Sequence, residues 1–306
     1  MAYRSIYEEI KDQFKFGTHT VRLCLLLLGI YLAILVIQIL GKIPNIGFDI
    51  TDFTYWVGMP AGFQAWIYKP WTIFTYALVH LSIWHILNNL IGLYIFGRIL
   101  EEFVGSKYIR PVFILGALAG GLAFLISSTV FENYFANSSM IGASAGVLAL
   151  LFAAVRVTPD YTIGILFIGQ VRIKYIALFI LILDLAFIAN DANTGGHIAH
   201  IAGAMMGYFV MSQVYNGVDV TTLISGVKSK LFPTKTASEK AKHLKVVYKK
   251  NTGSTDERTR SKISSDRKSD IENIDKILDK INEKGGIDQL TKEEREILFR
   301  APKDLE

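Results

Sequence analysis

Six stretches of the chain are apolar for long enough, or nearly long enough, to form helices that cross a bilayer, which takes roughly 20 residues each. They cover residues 20–40, 77–100, 111–130, 140–157, 175–188 and 195–214. The fifth is short, but the apolar stretch 163–168 precedes it. Because five further spans follow the first, the pattern predicts a retained transmembrane helix there and not a cleaved signal peptide. Two connections are more than turns. Residues 42–69 carry Phe48, Phe53, Tyr55, Trp56, Phe63, Trp66 and Tyr68, a density of rings suited to the membrane interface, and they predict a partly embedded loop with short helices. Residues 161–175 place β-branched side chains on both sides of Gly169-Gln170 and predict a short hairpin. The expected fold is an all-α polytopic membrane protein: a cytoplasmic N-terminal segment over 1–19, then a six-helix bundle over 20–217.

The pattern changes beyond the last span. Residues 218–269 are rich in Lys, Ser and Thr and read as a basic, flexible linker drawn to anionic lipid. Within 270–306, Ile271, Ile274, Ile277, Leu278 and Ile281 recur at helical spacing and Gly285-Gly286 ends the run. Thr291 then stands three residues before Glu294, the signature of a second helix start, so a small helical hairpin is expected.

Composition sharpens this picture. The 306 residues are 51% hydrophobic with a mean hydropathy of +0.35, which excludes an ordinary soluble enzyme. The net charge of +5 is carried entirely by the end of the chain: residues 1–225 balance twelve basic against twelve acidic side chains, and 226–306 hold twenty against fifteen. The tail mixes both signs and lacks a basic stripe interleaved with aromatics, so membrane lipids and not nucleic acid are the expected partner. Arg98, Lys107, Arg110, Arg156, Arg172 and Lys174 flank two of the short connections, while 131–139 and 189–194 hold no Lys or Arg. The positive-inside rule then puts both termini in the cytoplasm. The single cysteine, Cys24, excludes an intrachain disulfide and a cysteine-based metal site.

Polar groups inside apolar spans are costly enough to be functional candidates. They are His80, His85, Asn88, Asn89, Ser144, Asp184, His197 and His200. Counting at 1.5 Å per residue, Ser144 and His200 reach the same depth, roughly 6–8 Å below the outer boundary, with His85 and Asn89 one turn apart on a third helix and somewhat deeper. A serine, a histidine and a His/Asn pair match the needs of nucleophilic acyl chemistry: a hydroxyl, a base to take its proton, and donors for an oxyanion, among them the Ser144 amide. Gly203 and Gly207 share the face of His200 and let another helix approach. Gly142 and Gly146 lie opposite Ser144 and predict a different contact, with the second span.

These residues carry a resemblance to the rhomboid intramembrane serine proteases. His85 and Asn89, with Glu101 and Gly105 after them, are similar to that family's His-x-x-x-Asn helix and its continuation. Gly-Ala-Ser-Ala at 142–145 resembles Gly-x-Ser-Gly. Ala-His-Ile-Ala-Gly at 199–203 with Gly207 resembles the Ala-His-x-x-Gly-x-x-x-Gly of the last helix. The resemblance covers about residues 60–215. It implies a rhomboid-like bundle in the bacterial plasma membrane and a serine endopeptidase with a Ser144/His200 dyad. His85, Asn89 and the Ser144 amide would form the oxyanion site, with no third acidic member and no cofactor. Substrates would be transmembrane segments of other proteins, entering past the fifth helix and the loop above the site and cut near their outer end. Three positions depart from the family pattern: Ala145 for the second glycine, Leu148 for a tyrosine that stacks on the histidine, and Trp71-Thr72 for a Trp-Arg pair whose arginine braces the first loop. Asp184 and His197 have no place in that pattern; a gate or clasp role is expected for the first and a structural role for the second. The alternatives are a catalytically inactive relative that binds and traffics membrane proteins, and a metal site on His80, His85, His197 and His200. The metal site is disfavoured by the lack of a His-Glu-x-x-His motif and of a carboxylate beside those histidines.

Overall fold

A computed structural model of the chain describes residues 5–43, 50–190, 193–222 and 291. The chain divides into two units, 1–234 and 235–306, and apart from Thr291 every described residue belongs to the first. Past residue 222, the linker expected over 218–269 and the helical pair expected over 270–306 lie outside the described residues.

The described chain is mostly helical. A short amphipathic helix α1 (Ile6–Phe16) opens with a reciprocal capping box between Ser5 and Glu8. Thr18 then caps α2 (His19–Gly41). The interfacial loop folds as expected into short helices, α3 (Ile50–Val57), α4 (Phe63–Ile67) and α5 (Thr72–Thr75), with strand β1 (Met59–Pro60) between the first two. The longer helices α6 (Ile83–Val104), α7 (Ile109–Val130), α8 (Ser144–Val157), α9 (Ile173–Ala189) and α10 (Thr194–Tyr215) follow, with strand β2 (Ser139–Met140) ahead of α8 and the pair β3 (Thr162–Ile165) and β4 (Gly169–Arg172) after it. Among the described residues, three segments are long and apolar enough to cross a membrane: His19–Gly41, Ile83–Val104 and Ser106–Val130. α8 has 14 residues, and the 22 of α10 include four glycines and two histidines. Large apolar side chains face outward on α2 (Leu32, Val36) and α9 (Leu178, Phe179, Ile182). Such a surface is costly in water and matched to lipid.

Two expected boundaries shift, and both shifts matter for the site. The second span starts at Ile83, not at residue 77: after a 3₁₀ turn over Tyr76–Leu78, Val79 is extended (φ −99°, ψ 132°) and Ser82 caps the helix by accepting from the His85 amide. His80 therefore precedes α6. The fourth helix starts at Ser144, not at residue 140, because Met140 pairs with Met59 in an antiparallel β1–β2 bridge and Gly142 turns the chain at φ +122°. The hairpin over 161–175 forms, but Gly169 and Gln170 pair with Ile165 and Gly164; the turn is Leu166–Ile168, closed by Gly169 at φ +95°.

The core is organised around α8, nine of whose 14 residues are buried. Small residues let its neighbours rest directly on it. A Cβ on Gly203 or Gly207 of α10 would overlap the carbonyl oxygens of Ala145 and Ala149, and one on Gly116 of α7 would overlap the Ala149 methyl. A Cβ on Gly146 would lie 2.7 Å from the Phe113 ring of α7, so this glycine faces α7 and not the second span as expected; Gly142 does face that span, against the His85 ring. Glu101, at the far end of α6, accepts from the Thr20 amide (3.0 Å) and the Ser106 hydroxyl (2.9 Å), tying α6 to α2. Gly105 ends α6 at φ +88°.

Candidate active site

α8, α9 and α10 bring three side chains into one hydrogen-bonded chain. Ser144 is the first residue of α8, so its hydroxyl stands at the mouth of the helix and its amide belongs to the first turn, which has no intrahelical acceptor. His200 lies on α10 with Nε2 2.6 Å from Ser144 Oγ. Its Nδ1 is 2.8 Å from Oδ1 of Asp184 on α9, a residue only 4% exposed. The same oxygen is 2.5 Å from Nδ1 of His197, one turn before His200. The His197 ring stacks on Phe187 (5.1 Å, 20°) and meets His200 edge-on (5.3 Å, 86°).

The direct packing of Gly203 against Ala145 explains how Ser144 and His200 meet. With no side chain between the two backbones, the α10 residue one turn before Gly203 reaches the first residue of α8. The expected convergence of Ser144 and His200 thus occurs. It comes through the N-terminus of α8, however, and not from four residues inside it.

His85 and Asn89 form the opposite wall. A Cβ on Gly142 would lie 2.6 Å from both Cε1 and Nε2 of His85, so the imidazole sits against the turn that delivers the nucleophile. The Asn89 amide donates to the His85 carbonyl (2.8 Å), which leaves its second hydrogen for another acceptor. His80, fully buried, accepts from the Ala143 amide through Nε2 (3.2 Å), and its ring meets His85 at 4.8 Å. The residue just before Ser144 is held in place by this bond, and the turn is held by the Gly142 amide donating to the Tyr76 carbonyl (2.9 Å). In the sequence His80 is marked only as a histidine in an apolar stretch, which does not disclose this contact.

Ser144, His200, Asp184, His197, His85 and Asn89 line a cavity of about 550 Å³, together with Asn88, Leu148 and Ile180, Leu183 and Phe187 of α9. Leu148 faces the cavity where the resemblance expects a stacking tyrosine, and His200 is held instead by Asp184 and the edge of His197. The bracing expected of the missing arginine falls to a buried lysine. Lys69 donates to the Tyr55 carbonyl (2.9 Å) and lies 3.3 Å from the centre of that ring, while Trp71 donates to the Trp56 carbonyl and stacks on its ring.

The premise that no carboxylate stands beside those histidines is overturned by Asp184, whose Oδ1 meets both His197 and His200. Among the described residues, Asp184, His197 and His200 are the one group of three potential metal ligands, their ligating atoms within 4.8 Å of one another. The spacing is that of hydrogen bonds, however. Ligand atoms around a tetrahedral zinc stand roughly 3.3 Å apart, whereas both imidazoles here are closer than that to one carboxylate oxygen.

Residues 68–216 match the Rhomboid domain, and residues 260–301 match a family of unknown function. The chain is similar to RHOMBOID-like protein 12, mitochondrial, of Arabidopsis thaliana (25% identical, covering 48% of this chain and 47% of that protein). It is also similar to Rhomboid-related protein 1 of Caenorhabditis elegans (31%, 49% and 42%) and to Rhomboid protease GluP of Bacillus subtilis (27%, 51% and 29%). The chain spans about half, or less, of the length of the curated relatives it matches.

Proposed function

The chain belongs to the rhomboid family through residues 68–216, and on that premise we propose that it is an intramembrane serine endopeptidase that cleaves transmembrane segments of other membrane proteins. The carrying observation is the 2.6 Å contact between Ser144 Oγ and His200 Nε2 on the wall of a cavity large enough for a segment of peptide. In this reading His200 Nε2 takes the Ser144 proton as Oγ attacks the scissile carbonyl. His85, the free Asn89 hydrogen and the Ser144 amide stabilise the oxyanion. His200 then returns the proton to the leaving amine, and water repeats the cycle on the acyl-enzyme.

The proposal includes a six-helix bundle built from α2 and α6 to α10, in the bacterial plasma membrane, with both termini cytoplasmic and cleavage near the outer face. The ends of α8 support that orientation. Ser144 is at one end, and Arg156 is at the other, where the neighbouring Arg172 and Lys174 pair with Asp160 at 3.2 and 2.6 Å. Positive-inside logic puts the basic end in the cytoplasm and the serine at the opposite face.

The test is cleavage of a transmembrane reporter by the full chain in detergent, with labelling by a serine-reactive fluorophosphonate. Ser144→Ala and His200→Ala should each abolish cleavage, and only protein with intact Ser144 should label. Undiminished cleavage by Ser144→Ala would overturn the proposal. Binding of membrane proteins with no cleavage by the wild type would favour the inactive, trafficking alternative.

A further inference from the structure

We infer that Asp184 is a positioning residue for the base: its carboxylate holds His200 as the tautomer with the proton on Nδ1 and a bare Nε2 facing Ser144. The inference rests on the protease reading above and extends it, because a Ser/His pair alone leaves open what orients the imidazole.

The hydrogen-bonding capacities of the two side chains fix the tautomer. An ionised carboxylate only accepts hydrogen bonds, so an imidazole nitrogen 2.8 Å from it must carry the proton. A neutral imidazole carries one proton, which leaves Nε2 of His200 as an acceptor, 2.6 Å from the Ser144 hydroxyl that donates to it. That is the form a general base requires. The opposite tautomer would leave two acceptors facing each other at Nδ1 and make Nε2 a donor to the Ser144 oxygen, unable to take its proton. During attack the Ser144 proton moves to Nε2, the ring becomes an imidazolium, and the adjacent carboxylate stabilises it by charge while taking no proton itself.

The setting makes the carboxylate a rigid support. Asp184 is buried and comes from a different helix than the base, and its Oδ1 also accepts from His197 Nδ1. A second donor on the same oxygen lowers the cost of burying the charge and restrains the carboxylate's rotation. His197 is itself held by the Phe187 ring, one turn along α9 from Asp184. The aspartate thus fastens α9 to α10 and orients His200 with the same atom.

These two roles separate experimentally. Asp184→Asn keeps the shape but presents an amide whose N–H₂ can donate to Nδ1 and hold His200 in the wrong tautomer. In the full chain in detergent, Asp184→Asn should lower kcat for a transmembrane reporter by about 10²-fold or more with KM little changed, and slow fluorophosphonate labelling of Ser144 by a similar factor. Its thermal midpoint should stay close to wild type. His197→Phe, which removes the fastening partner and leaves the Asp184–His200 bond, should cost less than about tenfold in both rates. Labelling of Asp184→Asn within about threefold of wild type would overturn the inference, and so would a His197→Phe loss as large as that of Asp184→Asn. Should Asp184→Asn not fold, ¹⁵N spectra of histidine-labelled wild type decide: a His200 protonated on Nδ1 supports the inference and one protonated on Nε2 overturns it. Ser144→Ala separates this from failure of the protease reading. If Ser144→Ala is inactive and Asp184→Asn is fully active, only the role of Asp184 is lost.

Discussion

Replacing Gly203 with alanine tests whether the direct contact between α10 and α8 sets the catalytic distance. The added Cβ would lie 2.8 Å from the Ala145 carbonyl carbon and 3.0 Å from its Cα, and closer still to its oxygen. Carbon atoms pack comfortably at roughly 3.5–4.0 Å, and these neighbours are backbone, which cannot swing aside. The helices must therefore part by about 1 Å. His200 sits one turn from Gly203 and Ser144 is next to Ala145, so that separation falls on the 2.6 Å bond between them. It would lengthen to roughly 3.6 Å, beyond hydrogen-bonding range. A displacement of that size in a reacting pair costs about 10²-fold in rate, and overpacking of this kind costs about 2 kcal/mol in stability. Gly203→Ala should therefore show a kcat for reporter cleavage about 10²-fold below wild type and a lowered thermal midpoint. Gly29→Ala is the control: nothing lies within 4 Å of a Cβ at that position of α2, so activity should be unchanged and stability equal or higher by roughly 0.5–1 kcal/mol. Wild-type kcat in Gly203→Ala with an unchanged melting midpoint would refute the reasoning.

Two further substitutions probe the turn and the loop above the site. Gly142→Ala forces an L-residue to φ +122°, a strain of about 1–3 kcal/mol, and drives a methyl into the His85 ring; kcat should fall at least about tenfold, and an unchanged kcat would refute the assigned contact. Lys69→Met removes a buried ammonium together with its bond to the Tyr55 carbonyl and its ring contact. A loss of about 1–2 kcal/mol is expected, read as a lower melting midpoint and faster proteolysis within 42–69. Wild-type stability would show that the lysine does not brace the loop.

Much of this was legible because hydrophobic runs report where helices lie, and because Ser144, His200, His85 and Asn89 each sit in a short local motif. What was hidden depends on contacts between distant segments. β1 and β2 are two residues each and about eighty residues apart, too short to leave a pattern, yet their pairing keeps Met140 extended and so makes Ser144 the first residue of its helix. The same limit applies to His80, which belongs by hydropathy to the second span but is separated from it by the Ser82 cap. Asp184 shows it most plainly. Periodicity identifies a polar residue in an apolar helix, but only the packing of α9 on α10 reveals which atoms it meets.

The length of α8 has a consequence for the chemistry of water. Its 14 residues rise about 21 Å, whereas the hydrocarbon of a bilayer is about 30 Å thick. A helix anchored at its basic end therefore stops roughly 9 Å short of the far surface. Ser144 is its first residue and lines the cavity, so in the proposed orientation the shortfall falls at the hydroxyl. In the proposed protease, hydrolysis inside a medium that excludes water needs such an opening, and the shortness of α8 is the feature that would leave one.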